Sequence, residues 1–276
     1  MKKLFSALAI LMTFVMLAGC TAASPSAAPA TDAPTSAAAE STPAAQGVLD
    51  AIKAKGEIVV ATNAEYPPFE MMDGDKFVGI DMEVAQIIAD KLGVKLKIDN
   101  MSFDAVLAAI PTGKCDLGMS SLSITEERAK VMDFSDPYME TSIKMLVAKD
   151  SAIKTYDDLK GKKLGVQLGT LADTTVASYV DDAEVSRMNK DSDAVMDLIN
   201  GKVDAVLTDA APAKVLAEKN ADKIILIDEP LSSDKLAIAT KKGNADLIAF
   251  VNEVLKEIKA DGTFDKIVAK YVADNK

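Results

Sequence analysis

Short apolar runs of strand length alternate twice with segments of helical period along this chain, and that alternation admits few folds. The first series has a helix over 46–55 stopped at Gly56, then a strand over 57–62. A loop over 63–70 follows, which Pro67 and Pro68 keep extended. After a turn at 73–75 and a short strand at 77–80, Asp81 is expected to cap a helix. Its apolar positions Val84, Ile87, Ile88 and Leu92 recur at helical spacing, and Gly93 ends it. A strand at 95–98, a helix at 103–110 and an apolar run at 115–118 complete the series. After a turn at 134–138, a strand at 143–148 leads into the second series: strand 164–168, a helix from Gly169-Thr170 to about residue 180, strand 185–187, helix 191–199, strand 203–208, helix 210–219 and strand 224–227. A last strand at 236–240 and helices at 244–260 and 263–272 close the chain. Two α/β units in series, each with its own sheet, predict two lobes with a cleft between them.

The stretch from Met119 to Arg128 carries the chemistry. It reads Met-Ser-Ser-Leu-Ser-Ile-Thr-Glu-Glu-Arg and follows the strand-like run Cys115-Asp116-Leu117-Gly118. Ser120, Ser121 and Ser123 are therefore expected at the carboxyl end of a strand, where open α/β sheets hold ligands. Thr125 has the chemistry of a helix N-cap, and Arg128 on the first turn can reach back toward the serines. Hydroxyls, backbone N–H groups and one guanidinium suit a small carboxylate held bidentately. Taken alone, the stretch reads more readily as a polar turn followed by a surface arginine.

Composition removes several function classes. The chain has no histidine, which excludes a Ser–His–Asp triad and the commonest metal ligand. Its two cysteines, Cys20 and Cys115, are too few for a cysteine zinc site. A formal charge of −11 argues against nucleic-acid binding, which uses basic patches.

The N-terminus reads as a targeting segment. Met1-Lys2-Lys3 precedes an apolar core from Leu4 to Ala18, too short to span a bilayer comfortably. Leu17-Ala18-Gly19-Cys20 resembles a bacterial lipobox, which implies cleavage before Cys20 and a lipid on its sulfur. Cleavage would remove two lysines and no acid, making the charge balance more negative still. Residues 21–46 are almost all Ala, Ser, Thr and Pro, with Asp32 and Glu40 the only charges, and are expected to be a disordered spacer. Residues 1–19 are thus read as a signal peptide and 20–46 as a lipidated cysteine with its tether, anchoring the protein to the membrane.

Several motifs in order resemble one family. They are Tyr66-Pro67-Pro68-Phe69-Glu70, Val78-Gly79-Ile80-Asp81, Ser121 to Arg128, Asp133-Phe134-Ser135-Asp136-Pro137-Tyr138, Gly165 to Thr170, Asn200 to Ala205 and Ala260 to Lys266. Together they resemble the polar amino-acid binding proteins of bacterial ABC importers, extracellular solute-binding proteins of family 3. The resemblance implies a two-lobe periplasmic-binding-protein-like fold of type II, with two crossover strands and the ligand in the interlobe cleft. It puts the crossings near Ala148 and Lys235, giving lobe 1 as 47–147 plus 236–276 and lobe 2 as 148–235. It implies an extracytoplasmic monomer that binds a polar L-amino acid and delivers it to an ABC permease, with no cofactor, metal or catalysis.

Roles carry over by position. Arg128 resembles the clamp on the ligand α-carboxylate, and Ser121 and Ser123 match positions touching its α-amino and α-carboxylate groups. Ser120 matches a position facing the ligand side chain. Gly169 and Thr170 sit where a lobe-two helix starts, with N–H groups that suit an anion or serve a plain cap. Asp209 matches the aspartate facing the α-ammonium, though it can equally cap the next helix. Tyr66 and Phe103 match an aromatic sandwich around the side chain, with Phe103 also a natural core residue. Asn63 stands where some members carry an aspartate that reads cationic or amide side chains, and Glu65 beside it can restore negative charge. An amino-acid sensor or adhesin with the same cleft, or an enzyme such as a dehydratase, are the competing readings.

Overall fold

The computed structural model describes residues 47–273. The expected signal peptide, Cys20 and spacer lie outside these residues. In chain order the elements begin with α1 (Val48–Lys55), β1 (Glu57–Thr62), β2 (Glu65–Tyr66), β3 (Glu70–Asp73), β4 (Lys76–Val78), α2 (Ile80–Leu92), β5 (Lys95–Asn100) and α3 (Phe103–Thr112). The serine stretch spans β6 (Leu117–Ser123) and α4 (Glu126–Ala129), followed by β7 (Met132–Phe134), β8 (Met139–Thr141) and β9 (Ile143–Ala148). The second half holds β10 (Lys163–Gln167), β11 (Glu184–Met188), α5 (Asp191–Ile199), β12 (Ala205–Asp209), α6 (Ala210–Lys219) and β13 (Ile224–Ile227). It ends with β14 (Asp234–Lys241), α7 (Ala245–Ala260) and α8 (Thr263–Ala273).

Two main sheets form from these strands. The first has the order β5-β1-β6-β14-β7, with β8 also pairing β14; the second has β11-β10-β12-β9-β13. In each, three parallel strands stand beside one antiparallel strand, β14 in the first and β9 in the second. The first core packs α2, α7 and α8 on one sheet face through Ile88, Leu92, Val251 and Leu255, while Phe103, Val106 and Ile110 of α3 fill the other. The second lobe has cores of its own, one around Leu164, Val166 and Leu207, the other around Leu146, Leu198 and Val206.

β9 pairs along its whole length with β12 and β13. The chain therefore leaves the first sheet between Thr141 and Ile143, several residues before the expected crossing at Ala148. The apolar 143–148 run reads equally well as a strand of either sheet, so its sequence did not decide. β14 begins at Asp234, and Asp234 pairs with Thr141 of β8.

Three further local expectations are corrected. The 63–70 loop contains β2, which joins β3 and β4 in a small antiparallel sheet, with a cis Pro67–Pro68 bond between β2 and β3. Asp81 does not cap α2: the N-cap is Gly79, and Asp81 is buried inside the first turn. Gly79 is required there, because a Cβ on it would lie 2.2 Å from the Phe69 carbonyl oxygen and its φ is +127°. The helix expected from Gly169 is a single π turn over Ala172–Val176 and a 3-10 turn over Ala177–Tyr179. Hydroxyls of Thr174 and Ser178 bond back to the carbonyls of Thr170 and Thr174, at 3.0 and 3.1 Å, competing with regular helix bonds.

Candidate functional site: the cleft between the two sheets

The carboxyl ends of β1 and β6 from one sheet and of β10 and β12 from the other meet around a cavity. It is narrow and partly open, and it is lined from both sheets. Of the expected residues, Asn63, Tyr66, Phe103, Ser120, Ser121, Ser123, Thr170 and Asp209 line it. Arg128 and Gly169 join across its rim. Glu65 lies outside, in an ion pair with Lys190 at 2.5 Å.

Thr125 caps α4, its hydroxyl accepting the Arg128 N–H at 3.2 Å, and this fixes where the arginine stem starts. The Arg128 guanidinium donates from Nη1 to the Ser123 carbonyl at 2.8 Å and from Nη2 to the Gly169 carbonyl at 2.9 Å. It therefore touches both lobes. It also sits 5.6 Å over the Phe103 ring, so the aromatic face expected for a ligand side chain carries Arg128 instead. Burial lowers its pKa, opposed by the charges of Asp234 and Asp209.

Asp209 occupies the N-cap position of α6 but makes no capping bond. Its Oδ2 accepts the Tyr66 hydroxyl from the opposite lobe at 2.5 Å, and its buried Oδ1 has no hydrogen-bond partner. Burial pushes its pKa up to about 6 and repulsion from Asp234 adds to this, while the Tyr66 bond, the Thr141 hydroxyl and Arg128 pull it down. The Tyr66 hydroxyl also lies 3.1 Å from Thr208, which bonds to buried Asp191. Tyr66 stacks on Phe69, with ring centroids 6.4 Å apart.

The serines are used differently from expectation. The Ser120 hydroxyl accepts the Asn63 N–H at 3.1 Å and donates to Glu70 at 3.0 Å. Ser121 donates its hydroxyl to Glu70 at 3.2 Å and its N–H to Asp81 at 3.0 Å. Both donors of Ser121 are thus consumed within the protein. Ser121 falls in the bulge of β6 between the paired residues Gly118 and Leu122. The N–H groups of Gly169 and Thr170 are also taken, by Asp173 at 3.0 Å and by the Gln167 carbonyl at 3.3 Å. The single π turn gives them no regular helix dipole, so the anion site expected there reduces to the Arg128 fork.

The profile of bacterial extracellular solute-binding proteins, family 3, matches residues 58–274. The chain belongs to this family. It is 35% identical over 229 residues to the L-cystine-binding protein TcyJ of Escherichia coli (strain K12), covering 82% of this chain and 86% of that one. Among solved structures, the arginine-bound form of truncated ArgBP from T. maritima is 42% identical, with a TM-score of 0.73, covering 76% of this chain and 99% of that one. The ancestral amino-acid-binding protein AncCDT-1, described as a precursor of cyclohexadienyl dehydratase, is 35% identical with a TM-score of 0.76, covering 82% and 100%.

This solute-binding protein also uses groups that sequence reasoning did not single out. Gln167 lines the cavity and donates from Nε2 to the Asn63 side-chain oxygen across the lobes, at 2.9 Å. Its place inside an apolar strand is the one signal that could have marked it. Buried Asp234, whose Oδ2 lacks a partner, opens the crossover strand β14; burial raises its pKa, and Ser123 and Arg128 pull it down. Glu70 lines the cavity floor, although its sequence context reads only as the end of a loop.

Proposed function

We propose that this cavity captures a polar L-amino acid as its zwitterion when the lobes close, and that the protein delivers it to a membrane ABC permease. One observation carries the reading: a buried aspartate oxygen without a partner on one lobe shares a cavity rim with a guanidinium from the other. The Asp209 Oδ1 takes the ammonium, with the Ser121 carbonyl as a second acceptor. Arg128 exchanges its carbonyl partners for the ligand carboxylate, two parallel N–H bonds to one anion being stronger than bonds to two neutral carbonyls. Water exclusion strengthens both pairings. The ligand then joins Arg128 and Ser121 of one lobe to Asp209 of the other, so ligand shifts the population toward closure.

Asn63 and Gln167 face the ligand side chain with amides, where a fixed charge would select the opposite charge. The protein binds without turnover: the relative named above is a binding protein, and Asp209 is held by Tyr66 and Glu65 by Lys190. It works outside the cytoplasm, held to the membrane by lipid on Cys20. A thermal-shift screen of the twenty amino acids and cystine, followed by titration calorimetry, tests the reading. One or more polar amino acids should raise the melting temperature and bind at one site; no response to any of them, or ligand turnover, overturns it.

A further inference from the structure

Beneath the serine edge of β6 lie two carboxyl groups with no ion-pair partner among the described residues. Glu70, on β3, and Asp81, in the first turn of α2, are both fully buried. One residue ties them together: Ser121 bonds Glu70 through its hydroxyl and Asp81 through its N–H. Ser120 supplies a second hydroxyl to Glu70, and Tyr138, between β7 and β8, donates to Asp81 at 2.7 Å. β6 thus presents serines to the pair, and the loop after β7 presents the Tyr138 phenol, which also meets the Ser121 hydroxyl. Ser121 itself has φ +49°, a conformation that residues with a side chain rarely hold. It sits in a bulge, where the register jumps from Ala239↔Gly118 to Ala237↔Leu122.

Two ionised carboxylates bound to the same serine in a buried site repel too strongly to persist. We infer that Glu70 and Asp81 share a single proton, and that this neutral-acid–carboxylate pair is the positioning device that holds Ser121 in its left-handed bend, turning its carbonyl toward the ligand. Glu70 keeps the proton and donates it to Asp81, leaving the Glu70 oxygens to accept from the two serines and Asp81 free to accept from the Ser121 N–H and Tyr138. Burial and the neighbouring Asp81 charge both raise the Glu70 pKa, in keeping with this assignment. Both Glu70 oxygens at the cavity floor already accept from Ser120 and Ser121, so the pair acts through Ser121 rather than holding the ligand itself. The inference rests on the proposed amino-acid site for its consequence, but the proton itself is measurable without ligand.

Infrared spectroscopy of the full chain at pH 8.5, where Asp209 and Asp191 are ionised, reads the proton directly. A buried protonated-carboxyl band should appear in the wild type and vanish in Glu70→Gln. Glu70→Gln keeps a donor toward Asp81 and an acceptor for the serines, so it should bind the amino acid found by the screen within about threefold of wild type, whereas Glu70→Ala should lose tenfold or more. An absent band, or a band unchanged in Glu70→Gln, overturns the shared proton. Equal affinities for Glu70→Gln and Glu70→Ala overturn the positioning role. If the wild type binds no amino acid, the functional reading fails while the infrared result still judges the pair.

Discussion

The Tyr66 hydroxyl of one lobe donates to the Asp209 carboxylate of the other at 2.5 Å, and its oxygen also receives the Asp209 backbone N–H at 3.3 Å. A residue expected to stack on a ligand side chain therefore holds the acid expected to hold the ligand ammonium. The contact leaves Oδ1 of the same carboxylate open, so the tyrosine orients the acid without exhausting it.

Replacing Tyr66 by Phe removes that orientation and leaves a second buried oxygen unpaired. Denaturant unfolding without ligand should show a loss of about 1–3 kcal/mol. Calorimetry should still detect amino-acid binding, because Oδ1 is unchanged.

Arg128→Ala should abolish measurable amino-acid binding while the protein stays folded by circular dichroism. Asp209→Asn should weaken binding by about 2–5 kcal/mol, the range for truncating one partner of a buried charge pair. Arg128→Lys should rescue little, since a single ammonium cannot reproduce the fork that reaches both Ser123 and Gly169. Near-native affinity in either truncated variant would remove the clamp.

Acid pH should move stability and binding in opposite directions. Burial raises Asp209 and Asp81 to about 6 and Asp191 to about 7, against 3.8 for an ordinary aspartate. The folded chain takes up these protons before the unfolded chain does, so their contribution to stability is fully present below the ordinary value and lost as pH rises through 6 to 7. The unliganded melting temperature should therefore rise from pH 7.5 to pH 5. Asp209 must be ionised to hold an ammonium, so the increment added by ligand should shrink over the same range. Carboxylates with lowered pKa, such as Glu83 and Asp133, act only at more acid pH.

Asn63→Asp should shift selectivity toward cationic side chains. Asn63 faces Gln167 with its side-chain oxygen and the Met101 carbonyl with its amide nitrogen, at 2.9 Å each. A carboxylate keeps the first bond, loses the second and adds charge. Competition between arginine or lysine and glutamine reads the change.

Cys20→Ser should release the protein from the membrane fraction into the medium or periplasm. Retention of the variant would remove the lipid anchor.

Most regular elements were legible because their signals are local. Helical period and glycine stops mark α2, and turn residues bracket β10 to β13. What escaped was decided by distant partners. β2, β7 and β8 are two or three residues long and exist only by pairing. Asp81 looks like a cap until Gly79 turns the chain one step earlier and buries the carboxylate beside Glu70. The motif from Ser121 to Arg128 lies at the cavity between the two sheets. It did not reveal that the Ser121 donors are consumed inside the protein, because their acceptors lie 40 and 51 residues away in the chain.

Thr141 and Asp234 are cross-strand neighbours, so everything between them is one closed excursion from the first sheet. On the ribosome, β9 to β13 emerge and can assemble while the slot between β6 and β7 still awaits β14. The lobe begun second can be finished first, and the sheet that carries Arg128 is sealed only by the last quarter of the chain.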